Sequence, residues 1–464
     1  MDPTTMESNT SSAIHLCGHS SSKCLFQGST ETTLAIPSSS SDATESNNRA
    51  STPEHVNFTP DKTKAYSSGP TPIQGLSAIF FSSWLNLLLI FIPFGIISHF
   101  LWSPTVTFIL NFISIIPLAR MLGFVTEDIS LRTGEVIGGL LNASFGNAVE
   151  LIISIIALTK NLVVVVQASM LGSIISNLLL VLGMCFIGGG LKFKEQSFNV
   201  TVAQTSASLL FIAVSSLVVP AAFYSSSRDS MSPLDLSRVI LNISRATAII
   251  LLIIYFSYLY FQLKTHNHLN HFTAAEESLK IHATPKEIRH SQESLMKKIK
   301  KHLRCLHGWL FYCNLFLITV LVSISAEFLV SAIESVVEQW HISQTFVGLV
   351  LLPIVGNAAE HVSAVTVAIK NKMDLALSIA VGSSMQIALF VTPLMVLLGW
   401  ILDVDMSLFF NIYETAVLFI AVIMVSYLIM DGKSNWLEGM MLCSVYIIIA
   451  ISFYYYPDSA SGLA

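Results

Sequence analysis

Charged residues are scarce in this chain. They make up 11% of its 464 residues, against about a quarter in a typical soluble domain. Hydrophobic residues make up 53% and are gathered in repeated apolar stretches, each long enough to cross a hydrocarbon core of ~30 Å. The scarcity of charge therefore excludes a soluble globular protein. It predicts an all-α integral membrane protein in contact with lipid.

Several motifs are also missing. The six cysteines lack the paired spacing of a metal or disulfide site, and no signal peptide precedes the first apolar run near Ile79. There is no Gly-x-Ser-x-Gly and no His/Asp metal motif, so a hydrolase is disfavoured and no cofactor is expected. No feature indicates binding to nucleic acid or a particular oligomeric state.

The apolar runs predict about 11 transmembrane helices, arranged as two five-helix repeats plus one extra N-terminal helix. The Ser- and Thr-rich N-terminal segment lacks apolar periodicity, which is typical of disorder. The predicted domains are a disordered cytosolic tail (1–77), an extra peripheral transmembrane helix (78–102), a first repeat (103–263), a basic His-rich cytosolic loop (264–308), a second repeat (309–456) and a lumenal C-terminal tail (457–464).

Positive charge is distributed unevenly between the two sides. With eleven spans, 20 of the 24 Lys and Arg lie on the side of the tail and the long loop. The positive-inside rule therefore places the N-terminus in the cytosol. The loop also carries seven histidines, which leave a metal-binding tract open as an alternative to a solvated basic loop.

The chain repeats itself at an offset of 210 residues. Segment 137–180 matches segment 347–390 without a gap, with about 11 identities in 44 positions. The matched residues are mostly polar or small, whereas chance similarity between apolar helices would match Leu, Ile and Val. Gly-Asn-Ala-Val-Glu at 146–150 matches Gly-Asn-Ala-Ala-Glu at 356–360. The two motifs fall in spans five apart, which predicts an inverted repeat with a shared midplane site.

Each motif places a carboxylate inside an apolar span, where it is costly and normally faces a cavity. Glu150 and Glu360 follow Asn147 and Asn357, and the glycines Gly146 and Gly356 favour a break in the helix that exposes main-chain carbonyls. Carboxylate, amide and backbone oxygens suit a hard cation such as Ca²⁺. The sequence therefore predicts one intramembrane cation site.

A second repeated element lies 22 residues further on. Ser173 matches Ser383, and Ser176 and Gln386 follow at equal offsets, with Asn177 adjacent to Ser176. Close helix packing through small residues is the alternative for the serines, but it explains the larger amide of Gln386 less well.

Two buried carboxylates in one site also predict exchange. Without a cation they repel each other and lose solvation, so they hold protons near neutral pH and release them when a divalent cation arrives. Protons and the cation then exclude each other. Glu127, Glu135 and Glu327 lie near span ends and are candidates for an access path, although they could equally be interfacial residues.

The segments 140–152, 172–183, 356–361 and 382–389 resemble the cation/proton exchanger family, most closely its fungal vacuolar Ca²⁺/H⁺ antiporters. The resemblance covers about 79–456. It implies eleven helices in the vacuolar membrane and import of cytosolic Ca²⁺ in exchange for lumenal protons. It further implies essential roles for Glu150 and Glu360, with nearby ligands at Asn147, Asn357, Ser173, Ser383 and Gln386.

Three alternatives remain at this level. The transported cation could be Mn²⁺ rather than Ca²⁺. The coupling ion could be Na⁺ rather than H⁺. A protein of another class, an uncoupled cation channel, would pass cations only downhill.

Overall fold

A computed structural model of the chain describes residues 84–133, 138, 141, 145–265 and 308–457. The predicted N-terminal tail, nearly all of the predicted 264–308 loop and residues 458–464 lie outside the described residues. The domain boundaries proposed from the sequence therefore stay predictions.

The described residues fold almost entirely into helices, and the chain is an α-helical membrane protein. Within the described ranges, eight helices are long and apolar enough to cross a membrane. A ninth candidate is a helix pair, Gln344–Gly356 and Ala358–Ile369, bent by 56°. Two shorter apolar helices cover Leu85–Leu101 and Ala148–Thr159. These candidates add up to eleven segments, and the count of eleven membrane spans stays a prediction.

The first half begins after a peripheral helix α1 (Phe91–Leu101), which a 3₁₀ segment at Trp84–Ile90 precedes. It comprises α2 (Pro104–Thr133), α3 (Ala148–Thr159), α4 (Val163–Ile175), α5 (Leu182–Gly190), β1 (Gln196–Ser197), α6 (Val200–Ser227) and α7 (Pro233–Tyr260), with π-helical turns at Ser176–Val181 and Phe261–Thr265.

The second half follows the long loop. It comprises α8 (Gly308–Ser331), α9 (Ile333–Trp340), α10 (Gln344–Phe346), α11 (Leu352–Gly356), α12 (Ala358–Ile369), α13 (Met373–Gln386), α14 (Thr392–Leu402), α15 (Ile412–Leu428), β2 (Lys433–Ser434) and α16 (Trp436–Tyr454). Further π-helical turns lie at Val347–Leu351 and Ile387–Val391, and a 3₁₀ turn at Ile429–Asp431.

The two halves repeat local backbone features as well as sequence. Asn147 and Asn357 each stand at a helix break. Asn161 and Asn371, which also match at the 210-residue offset, both have left-handed backbone, with φ of 59° and 62°. The π-helical turns at Ser176–Val181 and Ile387–Val391 start at nearly equivalent positions. These shared irregularities support an internal duplication.

Polar caps fix where several helices begin. The side chain of Asn199 accepts hydrogen bonds from the backbone at the start of α6, and Ser232 does the same for α7. Asn411 and Asn435 form capping boxes with the glutamates three residues later, at α15 and α16. Such caps satisfy amides that a helix start leaves unpaired.

The apolar run at 404–430 predicts the tenth transmembrane span, but the helix there starts later than this composition indicates. Helix α15 begins only at Ile412, because residues 403–411 form a packed loop. The amide of Gln167 donates to the carbonyls of Ser407 (2.9 Å) and Phe409 (3.1 Å). Two backbone carbonyls of this loop therefore have a hydrogen-bond donor inside the protein. Apolar run length alone does not separate such a loop from a helix.

Helix α4 and its continuation to Gly190 form the centre of the protein, with 83% of their apolar window buried. Gly172 of α4 lies against the backbone of Leu349 from the second half, where a Cβ would collide with the Leu349 carbonyl. Small residues allow such close contact between helices. The strands β1 and β2 pair antiparallel and connect the two halves at one end of the bundle.

Candidate functional site

The two repeated motifs lie at breaks inside their spans. Asn147 precedes α3 and Asn357 precedes α12, and their carbonyls accept the first hydrogen bond of the helix that follows, from Leu151 (3.1 Å) and His361 (2.9 Å). Glu150 and Glu360 therefore lie in the first turn of a helix that begins within the bundle. Gly356 lies against Glu150, because a Cβ on Gly356 would be 2.8 Å from Glu150 Oε1.

Helix α13 and the π-helical turn after α4 provide the hydrogen bonds around Glu360. Ser383 Oγ lies 3.0 Å from Glu360 Oε1, and Asn177 Nδ2 donates to Glu360 Oε2 at 3.2 Å. Asn177 Nδ2 also lies 3.2 Å from Ser383 Oγ. Both oxygens of Glu360 are thus held by residues from two other helical segments, one from each half.

The same network continues to Asn147 in the first half. Ser383 Oγ lies 2.7 Å from Asn147 Oδ1, and Asn147 Nδ2 donates to Gln386 Oε1 at 2.9 Å. The side chain of Asn147 is only 1% exposed. A continuous chain of polar side chains therefore joins the Asn of one repeated motif to the Glu of the other.

Ser383 has a single hydroxyl proton and two acceptors within reach, Glu360 Oε1 and Asn147 Oδ1. When Glu360 is ionised, the hydroxyl can donate to the carboxylate, and Asn147 Oδ1 is left without this donor. When Glu360 is protonated, the acid can donate to Ser383, and the hydroxyl turns to Asn147. The protonation of Glu360 therefore decides whether Asn147 Oδ1 accepts a hydrogen bond from Ser383 or is left without it.

The residues at the matching positions, Glu150, Ser173 and Asn357, are also buried, but the hydrogen bonds of the described residues do not link them into a comparable chain. Glu150 is 6% exposed and lies close enough to Glu360 for the two carboxylates to repel each other. Ser173, the counterpart of Ser383, is 1% exposed, and among the described residues its hydroxyl makes no hydrogen bond to Asn357. Asn357 is fully buried, and neither its Oδ1 nor its Nδ2 has a hydrogen-bond partner among the described residues. Residues at matching positions of the two repeats thus differ in their hydrogen bonding.

A cavity of about 400 Å³ reaches Glu360 from one side of the bundle. We call it the entrance cavity. Glu127, a candidate for the access path, lines it, whereas Glu327 and Glu150 do not. Its lining includes Arg120, Glu127, Gly146, Gly356, Glu360, Ser363, Ser383 and Gln386.

The remaining access-path candidates lie elsewhere. Glu327 is exposed and pairs with Lys160 at the end of α3, with 2.6 Å between Lys160 Nζ and Glu327 Oε1. Glu135 lies outside the described residues. A path through these two glutamates stays a prediction.

The sequence did not predict three features of the site. Asn177 was noted beside Ser176, but its hydrogen bond to Glu360 was not predicted. His361 Nε2 lies 3.4 Å from Ser176 Oγ, so the histidine that has no counterpart in the first motif contacts the opposite half. Arg120 lines the entrance cavity, and its only sequence signal was a charged residue within an apolar run.

The donor set fits a hard cation rather than a soft metal. Within the described ranges, no group of three or more His, Cys, Asp and Glu residues is placed to hold a metal ion. Two carboxylates with neighbouring amide and hydroxyl oxygens remain, which is the oxygen chemistry that Ca²⁺ prefers.

The sequence profile of the family described as "Sodium/calcium exchanger protein" matches residues 103–264 and 310–455. A vacuolar calcium ion transporter of Schizosaccharomyces pombe is 44% identical over 382 residues, which cover 82% of this chain and 87% of that protein. A Ca²⁺/H⁺ antiporter of Aphanothece halophytica is 42% identical, covering 80% of this chain and 96% of its own length.

Two solved structures also resemble this chain. Native YfkE is 36% identical, with a TM-score of 0.65 over 80% of this chain and all of that chain. An H⁺/Ca²⁺ exchanger, CAX, is 11% identical, with a TM-score of 0.58 over 83% of this chain and 93% of that chain, which shows a shared fold alone. The chain therefore belongs to the sodium/calcium exchanger protein family.

Proposed function

We propose that this protein is a secondary active antiporter of the vacuolar membrane that moves cytosolic Ca²⁺ into the vacuole in exchange for lumenal protons. The observation that carries the proposal is the hydrogen-bonded chain from Asn147 through Ser383 to Glu360, at the wall of the entrance cavity. The relatives named as vacuolar calcium ion transporters and Ca²⁺/H⁺ antiporters support it. Ca²⁺ and protons are substrates, and the exchange uses no cofactor.

The cation would be held between the two repeated motifs. The carboxylates supply the negative charge, and the amides and hydroxyls complete an all-oxygen ligand set. The proposed ligands are Glu150, Glu360, Asn147, Asn357, Ser173, Ser383 and Gln386.

Exchange follows from competition for the same oxygens. A protonated Glu360 carries no charge and leaves Ser383 hydrogen-bonded to Asn147, so the ligand set is incomplete. Loss of the proton restores the negative charge and turns the Ser383 hydroxyl toward Glu360, which frees Asn147 Oδ1 for the cation. Binding of Ca²⁺ therefore requires release of protons, and protonation expels the cation.

Alternating access would require the site to open on each side in turn. The entrance cavity opens toward Glu127, which the predicted topology places on the cytosolic side with the N-terminus. The Lys160–Glu327 pair ties α3 to α8 on the opposite side. We propose that α2 and α8 move relative to the remaining helices, which closes the entrance cavity and separates this pair.

The test is Ca²⁺ uptake into vesicles that contain the purified protein and have an acidic interior. We expect wild-type uptake against a Ca²⁺ gradient, and loss of uptake in Glu150→Gln and in Glu360→Gln. A matched control is Glu414→Gln, since Glu414 is another buried carboxylate (4% exposed), which accepts a hydrogen bond from the backbone amide of Asn411. Uptake that survives both site substitutions would exclude the Glu150–Glu360 site.

The alternatives give different results in the same vesicles. Uptake that depends on external or internal Na⁺ and ignores the pH gradient would indicate a Na⁺-coupled exchanger. Movement of Ca²⁺ only down its gradient would indicate a channel. Parallel assays with Mn²⁺ decide between the two divalent cations.

A further inference from the structure

A positively charged side chain lines the route to a site proposed to bind cations. Arg120 is partly buried on α2 and lines the entrance cavity together with Glu127 and Glu360. Its Nη1 lies 3.3 Å from Ser363 Oγ on α12. The ion pairs found among the described residues do not include Arg120. The guanidinium is therefore held by a neutral hydroxyl and forms no direct ion pair with a described carboxylate.

The position of Ser363 fixes how close this charge is to the site. Ser363 follows Glu360 by three residues on one helix, so the two side chains are neighbours about 5–6 Å apart at their Cβ atoms. A guanidinium bonded to Ser363 thus lies about one helical turn from the Glu360 carboxylate. Because guanidinium stays protonated at any pH that a cell reaches, its charge is permanent.

The size of the cavity makes the charge act on every ion inside it. A compact volume of 400 Å³ is about 9 Å across, which is within the screening distance of about 8–10 Å at physiological salt. Any cation that reaches Glu360 by this route therefore experiences repulsion from Arg120. A divalent cation experiences twice the repulsion of a monovalent cation at the same place.

We propose that Arg120 is a specificity-determining residue whose charge lowers the affinity of the entrance cavity for divalent cations. The inference rests on the proposed transport of divalent cations through the Glu150–Glu360 site. Its consequence is that transport begins only at a higher cytosolic concentration of the cation than the same cavity would require without the charge. The charge of Arg120 should affect the cation concentration needed to fill the site more than it affects the maximal rate, which is reached when the site is full.

The experiment measures the initial rate of Ca²⁺ uptake as a function of external Ca²⁺, in acid-interior vesicles at alkaline external pH, where competition from external protons is weakest. We expect Arg120→Gln to lower KM about fivefold or more at low ionic strength, from the Coulomb repulsion of a divalent ion in a partly hydrated cavity. Arg120→Lys should keep the wild-type KM. The difference between Gln and Arg should shrink as an inert salt is added.

Three comparisons separate charge from structure. Ser363→Ala removes the hydrogen bond that positions the guanidinium but keeps its charge in the cavity, so it should lower KM less than Arg120→Gln does. Lys192→Gln removes an exposed positive charge outside the entrance cavity and should leave KM unchanged. The fold-change in KM caused by Arg120→Gln should be equal for Ca²⁺ and Mn²⁺, because both ions carry the same charge. A change in how the cation is coordinated would give different fold-changes for the two ions.

The outcomes are distinguishable. If the wild type takes up no divalent cation, the proposed function fails. If the wild type transports and Arg120→Gln leaves KM unchanged, or if Ser363→Ala reproduces its effect, the role of the charge is overturned. If Arg120→Gln does not accumulate, Arg120→Cys gives the same test: a positively charged thiol reagent should raise its KM and a neutral reagent of similar size should not, with reagent-treated wild type as control. Equal effects of both reagents would overturn the proposal.

Discussion

Asn147 and Asn357 occupy the same position in the two repeats, yet their side chains are in different states. Asn147 donates to Gln386 and accepts from Ser383, whereas both polar atoms of Asn357 are buried and have no partner in the part of the chain that the structure describes. The first amide contributes to a formed network. The second has the energetic cost of burial without the compensating hydrogen bonds. A ligand that supplies a contact to Asn357 would remove that cost.

Replacement of Asn357 by Leu should therefore have opposite effects on stability and on transport. Without Ca²⁺, the variant should unfold at a temperature equal to or higher than that of the wild type, since an unsatisfied buried polar group costs about 1–3 kcal/mol. Stabilisation by added Ca²⁺ and vesicle uptake should both be lost. Thermal unfolding in detergent, with and without Ca²⁺, measures the first two effects.

Asn147→Leu is the matched comparison. It leaves Gln386 Oε1 without its amide donor and removes one of the two acceptors of Ser383, so it should destabilise the protein even without Ca²⁺. Equal destabilisation by the two substitutions in the absence of Ca²⁺ would contradict the difference between the two amides.

The two repeated serines should also be unequal. Ser383 bonds Glu360 and Asn147, whereas among the described residues the Ser173 hydroxyl makes no such bond to Asn357. Ser383→Ala should reduce the uptake rate by about tenfold or more, because loss of a hydrogen bond to a charged group costs roughly 1.5–3 kcal/mol. Ser173→Ala should reduce it less. The measurement is uptake at a fixed pH gradient over a range of external pH.

The external pH adds a second readout for this pair. The Ser383 hydroxyl links the proton on Glu360 to the availability of Asn147, so Ser383→Ala should weaken the dependence of Ca²⁺ affinity on external pH. Ser173→Ala should preserve that dependence. A Ser383→Ala variant with lower rate but unchanged pH dependence would assign the serine a purely structural role.

The sequence predicted the parts of this protein that depend on repetition and on apolar run length. The duplication at 210 residues located both glutamates, both asparagines and the breaks that position them. Apolar composition located the helices, since lipid leaves few alternatives to a helix. The resemblance added Ser173, Ser383 and Gln386 as candidate ligands.

The asymmetry between the halves could not be predicted from matching residues. Equivalent positions carry Asn147 and Asn357, or Gly172 and Gly382, but a Cβ would meet the Leu349 backbone at Gly172 and open space at Gly382. Which of two identical residues has a partner depends on the packing of the other half. Contacts between helices distant in the chain, such as Arg120 with Ser363, leave no local pattern in the sequence.

A buried glutamine at one end of the bundle should contribute to stability rather than to transport. Gln196 Nε2 donates to Ala368 O and to Asn371 Oδ1, both at 2.9 Å, and the side chain is 2% exposed. Gln196→Ala removes both bonds and should lower the free energy of unfolding by about 1–3 kcal/mol.

The neighbouring ion pair Lys433–Glu195 provides the control for Gln196. Glu195 directly precedes Gln196 and Lys433 lies in β2, and both side chains of the pair are more than half exposed. Lys433→Gln should change stability by less than about 1 kcal/mol. A larger loss in Lys433→Gln than in Gln196→Ala, by thermal unfolding at equal detergent concentration, would reverse the assignment.

The close approach of Gly356 to Glu150 predicts a steric effect on transport. Gly356 ends α11 with ordinary negative φ, so alanine is compatible with its backbone, but a Cβ would lie 2.8 Å from Oε1 and 3.2 Å from the carboxyl carbon of Glu150. The carboxylate is the flexible end of its side chain and would move away. Gly356→Ala should therefore fold, yet lose Ca²⁺ uptake by about tenfold or more, as expected when a reacting group is displaced by about 1 Å.

Gly382→Ala is the matched control, because nothing lies within 4 Å of a Cβ at that position. We expect near wild-type uptake from it, and an equal yield of folded protein from both variants by size-exclusion chromatography. Ca²⁺-dependent thermal stabilisation should fall in Gly356→Ala alone, because a displaced Glu150 weakens binding and not only the transport step. Wild-type uptake in Gly356→Ala would show that the position of the Glu150 carboxylate in this structure is not the one that transport requires.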